Sequence, residues 1–351
     1  MSLRRSVVAS LLLLAPGCAL FNASGDDGAG SGDGTVRLVV PAGRVDADLE
    51  RYPLLVQLAG AGELIGAPDD GGDLEFVQDG EVLPHDLEAF DAGDGTLVAW
   101  VLVPLLAADS DNLLTVRRAG EPRDARAADV WADYRGVWHL ADDQDATGQG
   151  ALAAESGELS HDDAMIAGGV ALAGGYLDMG EPEDDHLDFT LEDSFSISMW
   201  LRRDASTGTW QEFLSKGGTT QGETGYSIET TEDAEEIYAC MADDDSYWCT
   251  DDAILPDGWV LAHYVIDRPD DEMRLYIDGR SGSQDDEIFD VDPDFEGNDH
   301  TLRVGATPDA DNIVSGAADE LRIREGILSP EWIAADAASQ SDPGFVERAG
   351  D

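Results

Sequence analysis

The sequence predicts an all-β protein built from two β-sandwich domains. From Thr35 onward the chain is a succession of short alternating or apolar runs, VRLVV, YPLLVQL, DLEFV, TLVAWVLVPL and NLLTV among them, punctuated by Gly, Pro and Asp. Few segments hold a helical period over three turns. The length, 351 residues, suits two domains rather than one, and a hydrophobic content of 42% is enough to build their cores.

The first residues read as an address. Arg4 and Arg5 precede an apolar stretch from Val7 to Leu14, the charged-then-apolar layout of a secretory signal. The stretch is too short to span a bilayer, which takes about 20 apolar residues. Ala15 and Gly17 just before Cys18 resemble the lipobox of bacterial lipoproteins, although Ala15 stands where that pattern usually has Leu. The resemblance implies that residues 1–17 are a signal peptide and that Cys18 is acylated and becomes the mature first residue. Two or more acyl chains give stable membrane anchoring where one is marginal. Ala19 rather than Asp after the cysteine leans, by the Gram-negative sorting pattern, towards an outer-membrane lipoprotein of the cell envelope. An ordinary signal peptide cut elsewhere is the alternative. Residues 18–35, rich in Gly, Ser and Asp, read as a flexible tether, and residues 341–351 as a tail.

Charge excludes one class of partner. With 75 acidic against 20 basic residues the formal charge is −55, so nucleic acid, which needs a basic footprint, is not a partner. The only lysine is Lys216. A saline habitat, a GC-rich genome or many calcium ligands would each produce this composition, and most of the carboxylates read as a solvated surface.

Two resemblances divide the folded part. Tyr52-Pro53-Leu54-Leu55-Val56, Gly72-Asp73-Leu74-Glu75-Phe76, Leu83-Pro84-His85 and Ala99-Trp100-Val101 resemble, in order, an uncharacterised β domain of bacterial and archaeal surface proteins, which assigns residues 36–125. In its closing strand the usual tyrosine-rich motif is replaced by Arg117-Arg118-Ala119-Gly120. Residues 135–148, RGVWHLADDQDATG, resemble the junction into a second domain at 130–340. There Ser194–Leu201, Phe213–Gly217, Trp259–Asp267, Leu275–Arg280, Gly316–Ile323 and Leu328–Ile333 are similar, block by block, to laminin-G-like, concanavalin A-like lectin/glucanase jelly rolls. That family carries a histidine where this chain has Leu261. His263 shares one strand face with Trp259 and Leu261 and reads as a packed core residue rather than a ligand. Independently of the family, Asp278-Gly279 fits a two-residue type I′ hairpin turn, and Ser329-Pro330 a helix N-cap followed by its first residue. Trp138, Trp200, Trp259 and Trp332 sit in apolar runs and read as core.

The resemblance leaves a binding module, a structural spacer or a glycosidase. Laminarinase-type relatives place three carboxylates along one strand as E-x-D-x-x-E, and no strand here does so. Glu232-Asp233-Ala234-Glu235-Glu236 has neither the alternation nor the spacing. Neither H-E-x-x-H, G-x-S-x-G nor a phosphate loop occurs, and the six histidines are scattered singly, so the protein is expected not to be an enzyme. Calcium is the more credible chemistry: the resemblance implies one structural ion held by Asp319, with a backbone carbonyl near Gly174 as companion. Asp290–Asp294 looks like the front of a calcium loop, but Phe295 stands where its glycine belongs. The leading expectation is a lipid-anchored envelope protein that recognises a glycan or a neighbouring surface protein, with a structural or adhesive stalk as the alternative. An exposed aromatic platform on the concave sheet favours the first, an unbroken acidic face the second.

Cysteine counting completes the reading. With Cys18 lipidated, Cys240 and Cys249 remain as two thiols in an oxidising envelope. A two-residue turn at Asp244-Asp245 sets a hairpin register that pairs them, with Met241 opposite Trp248 on the core face and the disulfide and Tyr247 on the outer face.

Overall fold

The alternating runs become strands. In the computed structural model, residues 34–350 are described apart from 151–152, 162–163, 181–185, 191, 221, 234, 244 and 286–297. Cys18, most of the tether and Asp290–Asp294 therefore lie outside the described residues. No helix among those described is long and apolar enough to cross a membrane.

The first unit holds β1 (Thr35–Val40), β2 (Leu49–Leu58), β3 (Leu74–Gln78), β4 (Glu81–Leu83), β5 (His85–Asp91), β6 (Thr96–Leu106) and β7 (Asn112–Arg118). A short helix, α1 (Ala127–Val130), leads into the second unit. That unit holds β8 (Tyr134–Trp138), β9 (Ala154–Ser156), β10 (Leu159–Ser160), β11 (Val170–Ala173), β12 (Tyr176–Asp178), β13 (Phe195–Arg203), β14 (Gln211–Lys216), β15 (Gly225–Thr230), β16 (Glu236–Ala242) and β17 (Tyr247–Cys249). It continues with β18 (Ala253–Ile254), β19 (Trp259–Asp267), β20 (Glu272–Ile277), β21 (Arg280–Asp285), β22 (Arg303–Val304) and β23 (Ser315–Glu325), followed by α2 (Pro330–Ser341) and β24 (Glu347–Arg348).

Four antiparallel sheets result. The N-terminal sandwich pairs a five-stranded sheet, β24-β1-β7-β3-β4, with a three-stranded one, β2-β6-β5. Its last strand from the resemblance, β7, runs through Arg117 and Arg118, whose charges meet Glu75 and Asp73 of the neighbouring strand segment. The jelly roll pairs an inner sheet, β10-β11-β23-β13-β19-β20-β21 with β8 also on β23, and an outer sheet, β17-β16-β15-β14-β22-β12-β9 with β18 on β16. Period-two alternation sorts the side chains. Phe195, Ile197, Met199 and Leu201 of β13 point into the jelly-roll core with Val260, Ala262, Tyr264 and Ile266 of β19. The opposite faces of those strands present Trp200 and Leu261 to Leu55, Trp100 and Leu102 of the N-terminal sandwich. Joined domains slide by default unless their contact is large and apolar; here Trp100, Trp131 and Trp200 are sealed inside it.

Local signals hold where expected. Asp278 (φ 50°) and Gly279 (φ 75°) make the β20–β21 turn with the positive φ that a type I′ turn demands. Ser329 caps α2, its hydroxyl accepting from the Trp332 amide at 3.2 Å, with Pro330 in the first turn. Trp138, Trp200 and Trp332 are buried, and Trp259 is half-buried. The tail needs correction. Glu347–Arg348 is a strand that extends the five-stranded sheet of the first unit through β1, and Trp332, Ile333 and Phe345 join the core of that same unit. The helix α2 and the residues after it thus complete the N-terminal sandwich, with α2 lying between the two units, where its Ala337 also meets Trp200 and Leu261 of the jelly roll.

Candidate functional site

The outward face of the outer jelly-roll sheet carries the arrangement with the most chemistry that also meets solvent. A β-bulge in β14 puts both Phe213 and Leu214 into the core and leaves Glu212 outward, opposite Glu229 of β15, which in turn lies opposite Tyr238 of β16. Three adjacent strands therefore line up Glu212, Glu229 and Tyr238 in one row. Both glutamates are buried. Tyr247 closes over them, its hydroxyl donating to Glu229 Oε1 at 2.5 Å. Trp210, just before β14, packs against Tyr238 with ring centroids 5.9 Å apart. Trp210 and Tyr247 remain 37% and 38% exposed, so the buried acid pair lies under an aromatic rim.

The pair is electrostatically strained. Burial first, then the charge of Glu229 and a hydrogen bond with it, push the Glu212 carboxyl well above the usual range, against an opposing hydrogen bond with Asn312. Burial also raises Glu229. Two buried carboxylates in contact hold a proton between them. Glu212 thus stays protonated in the folded chain at pH values where the unfolded chain, with a carboxyl near 4.3, has released its proton. Its contribution is neutral in acid and becomes increasingly unfavourable as pH rises, by at most about 1.4 kcal/mol per unit until the folded carboxyl ionises. Glu212→Gln, which keeps a donor towards Glu229, is therefore expected to match the parent near pH 4 and to exceed it in stability at pH 7–8. Urea denaturation across pH 4–9 reads this, and parallel curves would refute it.

Cys240 and Cys249 form a disulfide beside this row, with Cα atoms 4.0 Å apart and the register Cys240↔Cys249, Met241↔Trp248, Ala242↔Tyr247. Met241 is in the core and Trp248 packs on it. The Asp243 amide bonds the Ser246 carbonyl at 3.0 Å, so the loop closes over two residues, of which Asp244 lies outside the described residues. Cys240 is covered rather than surface-lying, because Tyr247 and Glu229 pack on it. Glu229, Cys240 and Cys249 cluster within 4.8 Å, but sulfurs bonded to each other offer no thiolate to a metal.

Asp319 and Gly174 are not brought together. On the β11–β23 ladder Ala173 faces Ser315 and Val170 faces Ala318, which leaves Gly174 and Asp319 offset by roughly 16 Å. Asp319 Oδ2 accepts the Met165 and Ile166 amides at 2.8 and 2.7 Å, holding that segment on the sheet. Burial, then the charges of Glu320 and Glu88, push its carboxyl well above the usual range. Calcium takes six to eight oxygens; one buried carboxyl spent on backbone amides does not assemble them with Gly174.

Asp319 belongs instead to a polar cluster between the two sandwiches. Ala318 and Leu321 both face the jelly-roll core, so the bulge between them, with Glu320 at φ 53°, turns two successive carboxylates to the interdomain side. There Glu320 meets His139 Nδ1 at 2.7 Å and Arg322 at 2.8 Å. Arg322 also reaches Asp336 of α2 at 3.4 Å and lies 3.9 Å from the Trp100 ring centre. His263 is the buried residue expected, its Nε2 2.9 Å from Asp336 Oδ2. Burial works to raise Glu320, but His139 and Arg322 outweigh it and hold the carboxyl low.

Sequence reading missed Glu212, Glu229, Glu88 and His139. A glutamate within an apolar strand, as in QEFLSK and YSIET, was the available signal for the first two.

Comparison with known proteins reaches the second unit. The model of the concanavalin A-like lectin/glucanases superfamily matches residues 174–334. No curated protein matches the chain. Among solved structures, domain 4 of an extracellular GH43 arabinanase from Geobacillus stearothermophilus, in complex with arabinotriose, is similar at 18% identity and TM-score 0.42, over 59% of this chain and 98% of that one. The binding domain of botulinum neurotoxin serotype G is similar at 14% identity and TM-score 0.47, over 60% of this chain and 51% of that one. The binding domain of paraclostridial mosquitocidal protein 1 is similar at 12% and 0.46, over 59% and 52%. This chain thus spans about half the length of the toxin domains. With the strand order above, the family match makes the protein an all-β chain whose residues 174–334 form a concanavalin A-like domain.

Proposed function

We propose that the protein is a lipid-anchored cell-envelope protein whose jelly roll binds a glycan across the outward face of its outer sheet. The observation that carries this reading is the half-exposed rim of Trp210, Tyr238 and Tyr247 above the buried Glu212–Glu229 pair. Aromatic faces stack on the apolar side of a sugar ring, and the buried carboxyl pair fixes the rim from beneath through the Tyr247 hydroxyl. The inner sheet supports the same assignment, since its outward face is already covered by the N-terminal sandwich. Contact between Glu212 and Glu229 favours binding over hydrolysis, because glycosidase carboxylates flank the bond at about 5 Å or more. The apolar interdomain contact favours a second reading, a stiff adhesive stalk.

Glycan-array binding followed by calorimetry on the best hit tests the proposal. Trp210→Ala and Tyr238→Ala are expected to weaken binding about tenfold or more, equivalent to about 1.4 kcal/mol, with little change in Tm. A parent that binds no glycan leaves the stalk. Membrane fractionation of Cys18→Ala tests the anchor: release from the membrane supports it, and unchanged retention defeats it.

A further inference from the structure

We infer that Glu88, His139 and Glu320 form an internal site for one first-row divalent cation of the zinc or manganese class, joining the N-terminal sandwich to the jelly roll. The inference is independent of glycan binding. Glu88 comes from β5 of the first unit, while His139, just after β8, and Glu320 of β23 come from the second. One ligand atom from each lies within 4.8 Å of the others. His139 Nδ1 is 2.7 Å from Glu320 Oε1 and 3.8 Å from Glu88 Oε2. Ligands bound at 2.0–2.2 Å to a shared ion sit about 3–3.5 Å apart, so small side-chain shifts suffice.

Each ligand is already oriented from behind. Asp86 Oδ2 faces His139 Nε2 at 3.1 Å and is itself held by Trp131 Nε1 at 2.7 Å, which leaves Nδ1 directed at the two glutamates. Arg322 holds Glu320 Oε2, and Trp100 Nε1 donates to Glu88 Oε2 at 3.0 Å. A carboxylate behind the histidine and donors behind the carboxylates are the outer shell that metal sites use to fix their ligands.

Two buried oxygens call for a cation. Glu88, with its side chain 2% exposed, keeps Oε1 buried with no hydrogen-bond partner, as does fully buried Asp319 with Oδ1. Such oxygens cost free energy unless something positive meets them. An imidazole nitrogen with two carboxylates suits zinc, manganese or cobalt, whereas calcium and magnesium prefer all-oxygen sets. Asp86 and His139 retain 16% and 13% exposure, which gives the ion a way in.

The test loads the full chain with Co2+ and then dialyses it against excess Mg2+ and Ca2+ to strip the acidic surface. One retained Co2+ per chain, a visible d–d absorption band, and a rise in Tm with Zn2+ are expected. Glu88→Gln and His139→Gln, checked for folding by circular dichroism, should each lose the retained ion. No retained ion, or retention undiminished in a folded Glu88→Gln, overturns the site. X-ray absorption on the Zn2+-loaded parent provides a readout without variants. A nitrogen/oxygen shell with one imidazole supports it; sulfur in the shell places the metal on a cysteine instead and overturns it.

Discussion

Arg322→Met is expected to destabilise the folded chain by about 3–5 kcal/mol, the cost of removing one partner from a buried ion pair. The guanidinium is 2% exposed, bonds Glu320 at 2.8 Å and Asp336 at 3.4 Å, and stacks over Trp100. Methionine restores volume but not charge, so two buried carboxylates lose a shared counter-ion and keep only the imidazoles of His139 and His263 beside them. The loss should not be confined to one unit. Glu320 belongs to the jelly roll, Asp336 to the helix that completes the N-terminal core, and Trp100 to the N-terminal sandwich. Urea denaturation followed by both tryptophan fluorescence and far-UV circular dichroism should show one transition moved to lower urea. Arg322→Met combined with Glu320→Gln should recover part of the loss, because the double variant leaves one fewer charge unpaired. A loss under 1 kcal/mol would mean that the carboxylates are neutralised without Arg322.

Removing the disulfide as Cys240→Ala with Cys249→Ala should cost about 2–3 kcal/mol, the loop-closure entropy of so short a loop. The hairpin tip adds to the cost, since Asp243, Asp244 and Asp245 repel one another and oppose closure. This variant differs from Arg322→Met in reaching the candidate glycan face. Tyr247 sits on β17, the edge strand that the disulfide ties to β16, and its hydroxyl holds Glu229. Loosening β17 is therefore expected to weaken glycan binding along with stability. Intact mass before and after reduction verifies the bond in the parent, and urea denaturation gives the loss. Two alkylatable thiols in the unreduced parent would refute the bond, and an unchanged urea midpoint in the variant would refute its contribution.

The features legible in the residues are those whose cause is local. Alternation assigned the faces of β13 and β19 because side chains of a strand point to opposite sides with period two. Asp278-Gly279 announced its turn through the positive φ that few other residues accept, and Ser329-Pro330 its helix start through a hydroxyl that accepts an orphan amide. Even the Cys240–Cys249 register followed from counting outward from a two-residue turn. Asp319 shows where counting fails. Uninterrupted alternation would send Asp319 and Glu320 to opposite faces, whereas the bulge sends both to the interdomain side.

By itself the sequence determined an all-β chain, the Asp278-Gly279 hairpin and the disulfide register through patterns that act over a few residues, and the concanavalin A-like second unit through the resemblance of successive blocks to that family. Tertiary structure alone decided that Glu212 meets Glu229 across two strands, that Glu88 meets His139 and Glu320 across two domains, and that Glu347–Arg348 returns to β1. Those meetings join residues far apart in the chain, and an isolated glutamate or histidine carries no local mark of its partner. What selects the partner is the stacking of four sheets and the burial of their apolar faces, which bring charged groups together only after the apolar surfaces have found each other.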